Sequence, residues 1–312
     1  MPLMTDTPNG VVEADKFGHL FGYPIKHSLS PLMHNTIFQN IGLNWHYSLL
    51  ESLDMSQFLK LTKDPNFYGS AVTMPHKLAI LPHLDSLTPS CREVGACNTI
   101  YLRTIAGVRT LIGTNTDVIG VRDAFYANVS DPDSTFHDRP AMVIGGGGAA
   151  RSAVYALKKW MRATRIYIVN RDDVEVAAVI KECEVRGFGE GLLHVRTPEE
   201  AEGLEGPGAI VACVPNFPPK TAEEVRARGV IEVMLAKEHK GAILEMCYHP
   251  VVWTEIAEAS QREGWKVIIG TEAMIYQGIE QAKLWTGLNT EELPVDKVHK
   301  AIADELAKGQ HA

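Results

Sequence analysis

The chain has 312 residues, 45% of them hydrophobic and 22% charged, with a formal net charge of −8 at pH 7. That length suits two domains with ordinary cores, and the acidic balance argues against a nucleic acid or an anionic membrane as partner, since both select basic faces. Five cysteines, Cys91, Cys97, Cys183, Cys213 and Cys247, are widely spaced without a C-x-x-C pair, the usage of free thiols in a reducing compartment. The opening MPLMTDTPNGVVEADK has neither the basic start nor the apolar run of a leader. No apolar run reaches the roughly 18 residues of a membrane span, so a cytoplasmic location is expected.

In chain order, FGHLFGY (17–23) reads as a first strand. SPLMHNTIFQNIG (30–42) reads as a helix with Ser30 as N-cap, Pro31 at its first position, an apolar stripe of Leu32, Met33, Ile37, Phe38 and Ile41, and Gly42 as its stop. Strands are expected near 45–50 and 69–73, with hairpin-like strands near 97–103 and 108–113. At AVTMPHKLA (71–79) a buried strand meets a Met-Pro turn, because Pro75 fixes its own φ and drives Met74 out of the helical region. Lys77 then falls on the first turn of a helix, where an acidic residue is the usual choice. Taken alone, it is a solvated lysine. Asp117, in GTNTDVIG (113–120), opens the next helix and taken alone supplies helix N-terminal charge.

DPDSTFHDRP (131–140) is a polar connector bounded by prolines. Strand-helix units follow, around 141–160, 193–203, 208–226, 242–262 and 266–286, with a strand at 165–170 and a last helix in LPVDKVHKAIADELAKG. Alternation of this kind predicts parallel sheets in an α/β protein. The expected division is a domain in 1–119, joined again by helices in 271–312, and a cofactor-type sheet in 120–270.

Gly145, Gly147 and Gly148 follow a buried strand and open a helix. Glycine permits the tight turn and lets backbone N–H groups approach a pyrophosphate at the helix start. The alternative is a plain turn between packed elements. After the second strand, NRDD offers Arg171, which suits the phosphate of NADP, and Asp172 with Asp173, which would repel it. That balance leans to NAD, with Asp172 equally able to cap the helix that follows. The 12 histidines show no metal-ligand spacing, and no metal is expected.

Eight ordered stretches now stand together: GYPIKHSLSPLMHN, VTMPHK, GACNT, GTNTDVIG, GGGGAARSA, the NR after the second strand, CYHP and YQGIEQAKLWTG. Across about residues 17–290 they resemble the shikimate/quinate dehydrogenase family, nearest to its broad-specificity quinate/shikimate members. The resemblance implies an N-terminal α/β substrate domain and a Rossmann-like dinucleotide-binding domain with a cleft between them. It implies Lys77 and Asp117 as the catalytic pair, and Ser28, Ser30, Thr73, Asn98, Tyr248 and Gln277 around the substrate. It implies Gly145, Gly147, Gly148 and Ala149 at the dinucleotide, with Asn170, Arg171 and Asp172 on its 2′ side.

The activity so implied is reversible oxidation of a ring hydroxyl of quinate or shikimate to the 3-dehydro ketone, with NAD as cofactor and NADP as the alternative. Lys77 takes the hydroxyl proton if its pKa falls toward neutrality, and Asp117 orients the pair, which titrates as a unit. The expected partner is a small molecule, and the chain a monomer or homodimer. Three positions depart from the family pattern. Ala71 and Ala282 stand where larger side chains are usual, which predicts an enlarged pocket that admits quinate. CVPNFPP (213–219) replaces the usual cofactor-side loop. The competing readings are a metabolite sensor without turnover, and a strict NADP-dependent shikimate dehydrogenase of aromatic amino-acid biosynthesis.

Overall fold

The computed structural model describes residues 4–7 and 10–309. The leader reading of 1–16 therefore rests in part on residues 1–3 and 8–9, outside the described ones. The chain separates into two compact units, residues 1–116 with 277–312, and residues 117–276. No helix among the described residues is long and apolar enough to cross a membrane.

In the first unit β1 (Met4–Thr7) and β2 (Gly10–Glu13) pair antiparallel. A six-stranded sheet follows, built from β3 (Lys16–Gly22), β4 (Trp45–Glu51), β5 (Phe67–Val72), β6 (Ser86–Leu87), β7 (Thr99–Ile105) and β8 (Val108–Thr114) in the order β4-β3-β5-β7-β8-β6. β3 runs parallel to β4 and β5, while β7 is antiparallel to β5 and β8. This topology brings the carboxyl ends of β3, β5 and β8 and the amino end of β7 to one edge of the sheet. Ligands of open α/β sheets bind outside such an edge.

Four helices accompany these strands: α1 (Ser30–Asn40), α2 (Met55–Leu61), α3 (His76–Ala79) and α4 (Pro89–Val94). Ser30 is not the N-cap of α1 as the sequence suggested. Leu29 holds that place without a side-chain bond, and Ser30 stands one position inside the helix, its Oγ accepting from Ser28 Oγ at 3.2 Å and its N–H donating to Ser28 Oγ at 3.3 Å. Gly42, at φ +75°, follows the helix in the left-handed conformation that the stop requires.

Two aromatic groups fill the unit. Phe21 stacks on Phe58 and on the His76 ring, at 4.5 and 4.0 Å. Elsewhere Phe38, Tyr47 and Trp285 pack against His34, and Trp45 and Tyr68 stack beyond Phe38. Gly69, at φ +157°, lets Trp285 approach the sheet, since an added Cβ would stand 2.4 Å from the indole nitrogen.

The second unit opens with α5 (Asp117–Asn128) and α6 (Pro132–Thr135). α6 is a turn of helix inside the expected connector, formed because the Asp131 carboxylate accepts from Ser134 N. An all-parallel sheet follows: β9 (Ala141–Ile144), β10 (Ile166–Val169), β11 (Leu192–His194), β12 (Ala209–Ala212), β13 (Ala242–Glu245) and β14 (Lys266–Ile269), in the order β11-β10-β9-β12-β13-β14. This is the doubly wound arrangement, with its switch point between β9 and β12. The helices α7 (Gly148–Lys159), α8 (Asp173–Val185), α9 (Pro198–Glu202), α10 (Ala222–Leu235) and α11 (Glu255–Arg262) connect its strands. α12 (Gly270–Thr286) starts in the second unit and ends in the first, where α13 (Val295–Gly309) packs on α1.

His34 Nε2 lies 3.1 Å from Gln281 Oε1, and burial lowers its pKa to about 3. Burial, helped by His46, lowers that of His19 to about 4. Both rings stay neutral in the folded state, whereas the unfolded chain binds their protons below about 6.5. Stability is therefore lost as pH falls below 6.5, by about 1.4 kcal/mol per pH unit for each histidine. The expected result is an unfolding free energy that declines between pH 6.5 and 5, with His34→Asn showing a flatter decline than the parent. Equal slopes in denaturant titrations at each pH would assign the acid sensitivity elsewhere.

Candidate functional site

At the gathered edge of the first sheet, the loop after β3 carries Ser28 and Ser30, whose hydroxyls lie 3.2 Å apart. Glu51, at the end of β4, holds that loop by accepting from the N–H groups of Ile25 and Lys26, at 3.0 and 3.1 Å. Thr73 follows β5. Its N–H donates to Phe21 O at 2.8 Å and its carbonyl accepts from His76 N at 2.9 Å, which starts α3 and places Lys77 on it. The Lys77 carbonyl in turn accepts from Cys97 N at 2.8 Å. Lys77 is thus anchored one residue from Asn98.

Asn98 is 3% exposed and uses both ends of its carboxamide. Oδ1 accepts from Thr99 Oγ1 at 2.8 Å and from Thr116 N at 2.7 Å. Nδ2 donates to Thr116 Oγ1 at 3.0 Å and to Gln277 Oε1 at 3.4 Å. Thr116 Oγ1 also lies 3.1 Å from Gln277 Oε1. Ser28 and Ser30, Thr73, Lys77, Asn98 and Gln277, all named from sequence, therefore lie on elements of one unit that meet at or near one edge. Thr116 belongs with them and was not named, because a threonine before a helix reads as an ordinary cap. Asp117 is the next residue, the first of α5 and of the second unit.

In the second unit Gly145 takes φ +124°, and Gly147 is the N-cap of α7 with nothing within 4 Å of an added Cβ. The open backbone start of a 12-residue helix, on which Gly148 and Ala149 form the first turn, fits a pyrophosphate. Arg151 braces the turn: it donates to the carbonyls of Gly146 and Gly147 at 3.0 and 3.2 Å and forms two 2.8 Å bonds with Glu182. The arginine holds the Glu182 carboxyl down to about 2.

The residues after β10 have definite partners. Asp172 accepts from Val174 N and Glu175 N through Oδ1 as N-cap of α8. Asp173 lies among His194, Arg196 and Arg226, at 3.5, 3.9 and 3.8 Å. Arg171 pairs with Glu224 of α10. The carboxylate that does reach the glycine turn is Glu175. Its Oε2 accepts from Asn170 Nδ2 at 2.7 Å and would stand 3.0 Å from a Cβ at Gly146. Sequence reasoning missed Glu175 because it lies six residues past the strand, in the first turn of a helix where an acidic residue is usual.

Two further expectations change. Ala282 is fully buried in α12 and Ala71 is 5% exposed between β3 and β7, so core packing takes up their missing bulk. An enlarged pocket therefore does not rest on them. The 213–219 loop is tied in place at Cys213, which stands 3.3 Å from a Cβ at Gly145, and at Asn216, whose Oδ1 accepts from Glu255 N at 3.0 Å. Tyr248 is half-buried in the segment between β13 and α11.

The profile of the shikimate dehydrogenase substrate binding domain matches residues 20–100. A quinate dehydrogenase of Emericella nidulans is 44% identical over 95% of this chain and 96% of its own length. Among solved structures, the dehydroquinate dehydratase and shikimate dehydrogenase of Schizosaccharomyces pombe AroM superposes with a TM-score of 0.77 at 32% identity, over 92% of this chain and 53% of that one. The shikimate 5-dehydrogenase of Thermus thermophilus, in complex with NADP(H) and shikimate, superposes with a TM-score of 0.71 at 27% identity, over 92% and 99% of the two chains. With near full-length identity on this scale and two sheets of the same architecture, the chain belongs to the shikimate/quinate dehydrogenase family.

Proposed function

We propose that the chain is a nicotinamide-dinucleotide-dependent dehydrogenase that reversibly oxidises one ring hydroxyl of quinate or shikimate to the 3-dehydro ketone. The observation that carries this reading is the buried Asn98–Thr116–Gln277 cluster held one residue from the Lys77 anchor. Amide and hydroxyl groups fixed by one another form a rigid template for a polyol. A site built to bond hydroxyls discriminates against ligands lacking them, because its own polar groups are then left unpaired.

A bound dinucleotide would supply the acceptor for the hydride of the carbinol carbon. The hydroxyl proton must go elsewhere, and Lys77, as the neutral amine, is the group that takes it, with Asp117 orienting the ammonium so formed. Ser28 and Ser30 donate to the substrate carboxylate, and Thr73, Asn98 and Gln277 bond the ring hydroxyls. Tyr248 completes the substrate contacts. Gly145, Gly147, Gly148 and Ala149 leave backbone N–H groups open to the pyrophosphate.

NAD is the cofactor this reading favours, and Glu175 is the reason. An exposed carboxylate against the glycine turn accepts from ribose hydroxyls and repels a 2′-phosphate. Arg171, the one argument for NADP in this stretch, is engaged by Glu224.

Three outcomes are expected. Absorbance assays with quinate or shikimate, each with NAD or NADP, give turnover of both acids and a higher kcat/KM with NAD; no turnover in any of the four leaves the sensor reading. Folded Lys77→Ala loses roughly 10²–10⁴ in kcat with a smaller change in KM, and an undiminished kcat removes Lys77 from the chemistry. Glu175→Gln narrows the NAD-over-NADP ratio of dissociation constants at least tenfold, read by quenching of tryptophan fluorescence. Asp172→Asn leaves that ratio unchanged, and a reversal of these two results returns the discrimination to the aspartate.

A further inference from the structure

β13 ends in a residue out of keeping with its neighbours. The row that crosses the sheet there reads Val169, Ile144, Ala212, Glu245 and Ile269, four apolar side chains and one carboxylate. Glu245 is 1% exposed. A buried carboxylate is costly unless donors compensate it, and an apolar residue would satisfy the fold equally well. The donors identify its task. Oε1 accepts from Cys247 N at 3.0 Å, and Oε2 accepts from Thr254 Oγ1 at 2.7 Å. Thr254 is itself the N-cap of α11, accepting from Ala257 N at 3.1 Å.

One side chain therefore closes both ends of the segment from Cys247 to Thr254. Within it Cys247 Sγ donates to the His249 carbonyl at 3.2 Å, and Val251 and Trp253 are both exposed. The segment also adjoins the glycine-turn edge: Met246, just before it, lies 3.6 Å by sulfur from Cys213, the residue against Gly145. We propose that Glu245 is a positioning residue that clasps the Cys247–Thr254 segment and thereby sets Tyr248 for the substrate. This rests on the reading of Tyr248 as substrate-facing.

The clasp needs an acceptor at both oxygens. Thr254 Oγ1 accepts from α11 and donates to the ionised carboxylate, and Cys247 N can only donate. Protonating the carboxyl, or replacing it by an amide, turns one acceptor into a donor, so one of the two charge-assisted bonds is lost or must reverse through the second lone pair of Thr254 Oγ1, and the clasp weakens. Burial raises the Glu245 carboxyl to about 7, against the lowering effects of Thr254, Cys247 and the cation of Arg228. Arg228 reaches from α10 and is paired with Glu255 of α11 at 3.1 Å. Cys247, Tyr248 and His249 are the titratable side chains on the segment itself. The folded pKa exceeds that of the unfolded chain, so this group's contribution to stability falls as pH rises from about 4.5 to 7. The clasp itself closes over the upper part of the same range.

The test uses the full chain and two readouts. In Glu245→Gln, hydrogen exchange of the peptide spanning 246–257 should quicken at least tenfold. Its KM for quinate or shikimate should rise at least tenfold with kcat within threefold. The parent's KM should rise as pH drops from 8 to 6, and the variant's should stay high and flat. Thr254→Val, which opens only the far end, should quicken the same exchange, and Thr254→Ser should restore it. Unchanged exchange in both Glu245→Gln and Thr254→Val overturns the clasp. Quickened exchange with an unchanged KM overturns the positioning role if Tyr248→Phe raises KM; if Tyr248→Phe leaves KM unchanged as well, the assignment of Tyr248 is what fails.

Discussion

Asn98 stands at a place in the first unit where several segments need a polar partner at once. β7 begins there, β8 has just ended, and α12 enters the unit. Thr99 Oγ1, Thr116 N, Thr116 Oγ1 and Gln277 Oε1 all bond to the same carboxamide. Leaving a buried N–H such as that of Thr116 without an acceptor costs about 1–3 kcal/mol, so the arrangement is strongly held. In the proposed function the same residue is the template for ring hydroxyls. Stability and recognition would then be carried by one group, and the rigidity of the template would follow from its place in the fold.

The two units handle buried polarity differently. The first keeps His19 and His34 neutral, with His34 bonded to Gln281 and packed among aromatic rings. The second places acidic groups where they close turns: Asp172 on α8, Glu182 through Arg151 on the glycine turn, Glu224 on its own helix start, Glu245 on the segment after β13. Part of the acidic balance of the chain is thus local bracing. That bracing is also why a count of nearby carboxylates did not foretell which one faces the glycine turn.

Much of this was legible beforehand for physical reasons. Strand-helix alternation, Gly42, Pro31 and the glycine turn are local signals, and the elements they mark lie within a residue or two of the expected spans except α10, which runs to Leu235, well past the expected end at 226. The residues at the gathered edge were legible through ordered motifs. What escaped were features set by tertiary neighbours. Ser30 gave up the cap position and bonds Ser28 instead. Ala282 looked like a gap in a pocket and proved to be core. Glu175 lies in the first turn of α8, where an acidic residue reads as ordinary helix-start charge, and Glu245 ends a strand whose neighbours are apolar. Only the pairing register reveals the anomaly of the second.

The first unit is made from two stretches separated by the whole of the second. Trp285 must lie against Gly69 and bond Ile100 O, and Gln281 must reach His34 and Thr99, before the aromatic core of the first unit is complete. A ribosome delivers residues 117–276 before any of these partners exists. During synthesis the continuous unit can close while the earlier-made strands still wait, with the face that receives Trp285 uncovered. The order of assembly is then the reverse of the order of translation for these two bodies, and the long-range contacts of α12 are the last step. For that interval the exposed rings of Tyr47 and Tyr68 make the N-terminal stretch the segment most in need of shielding from other chains.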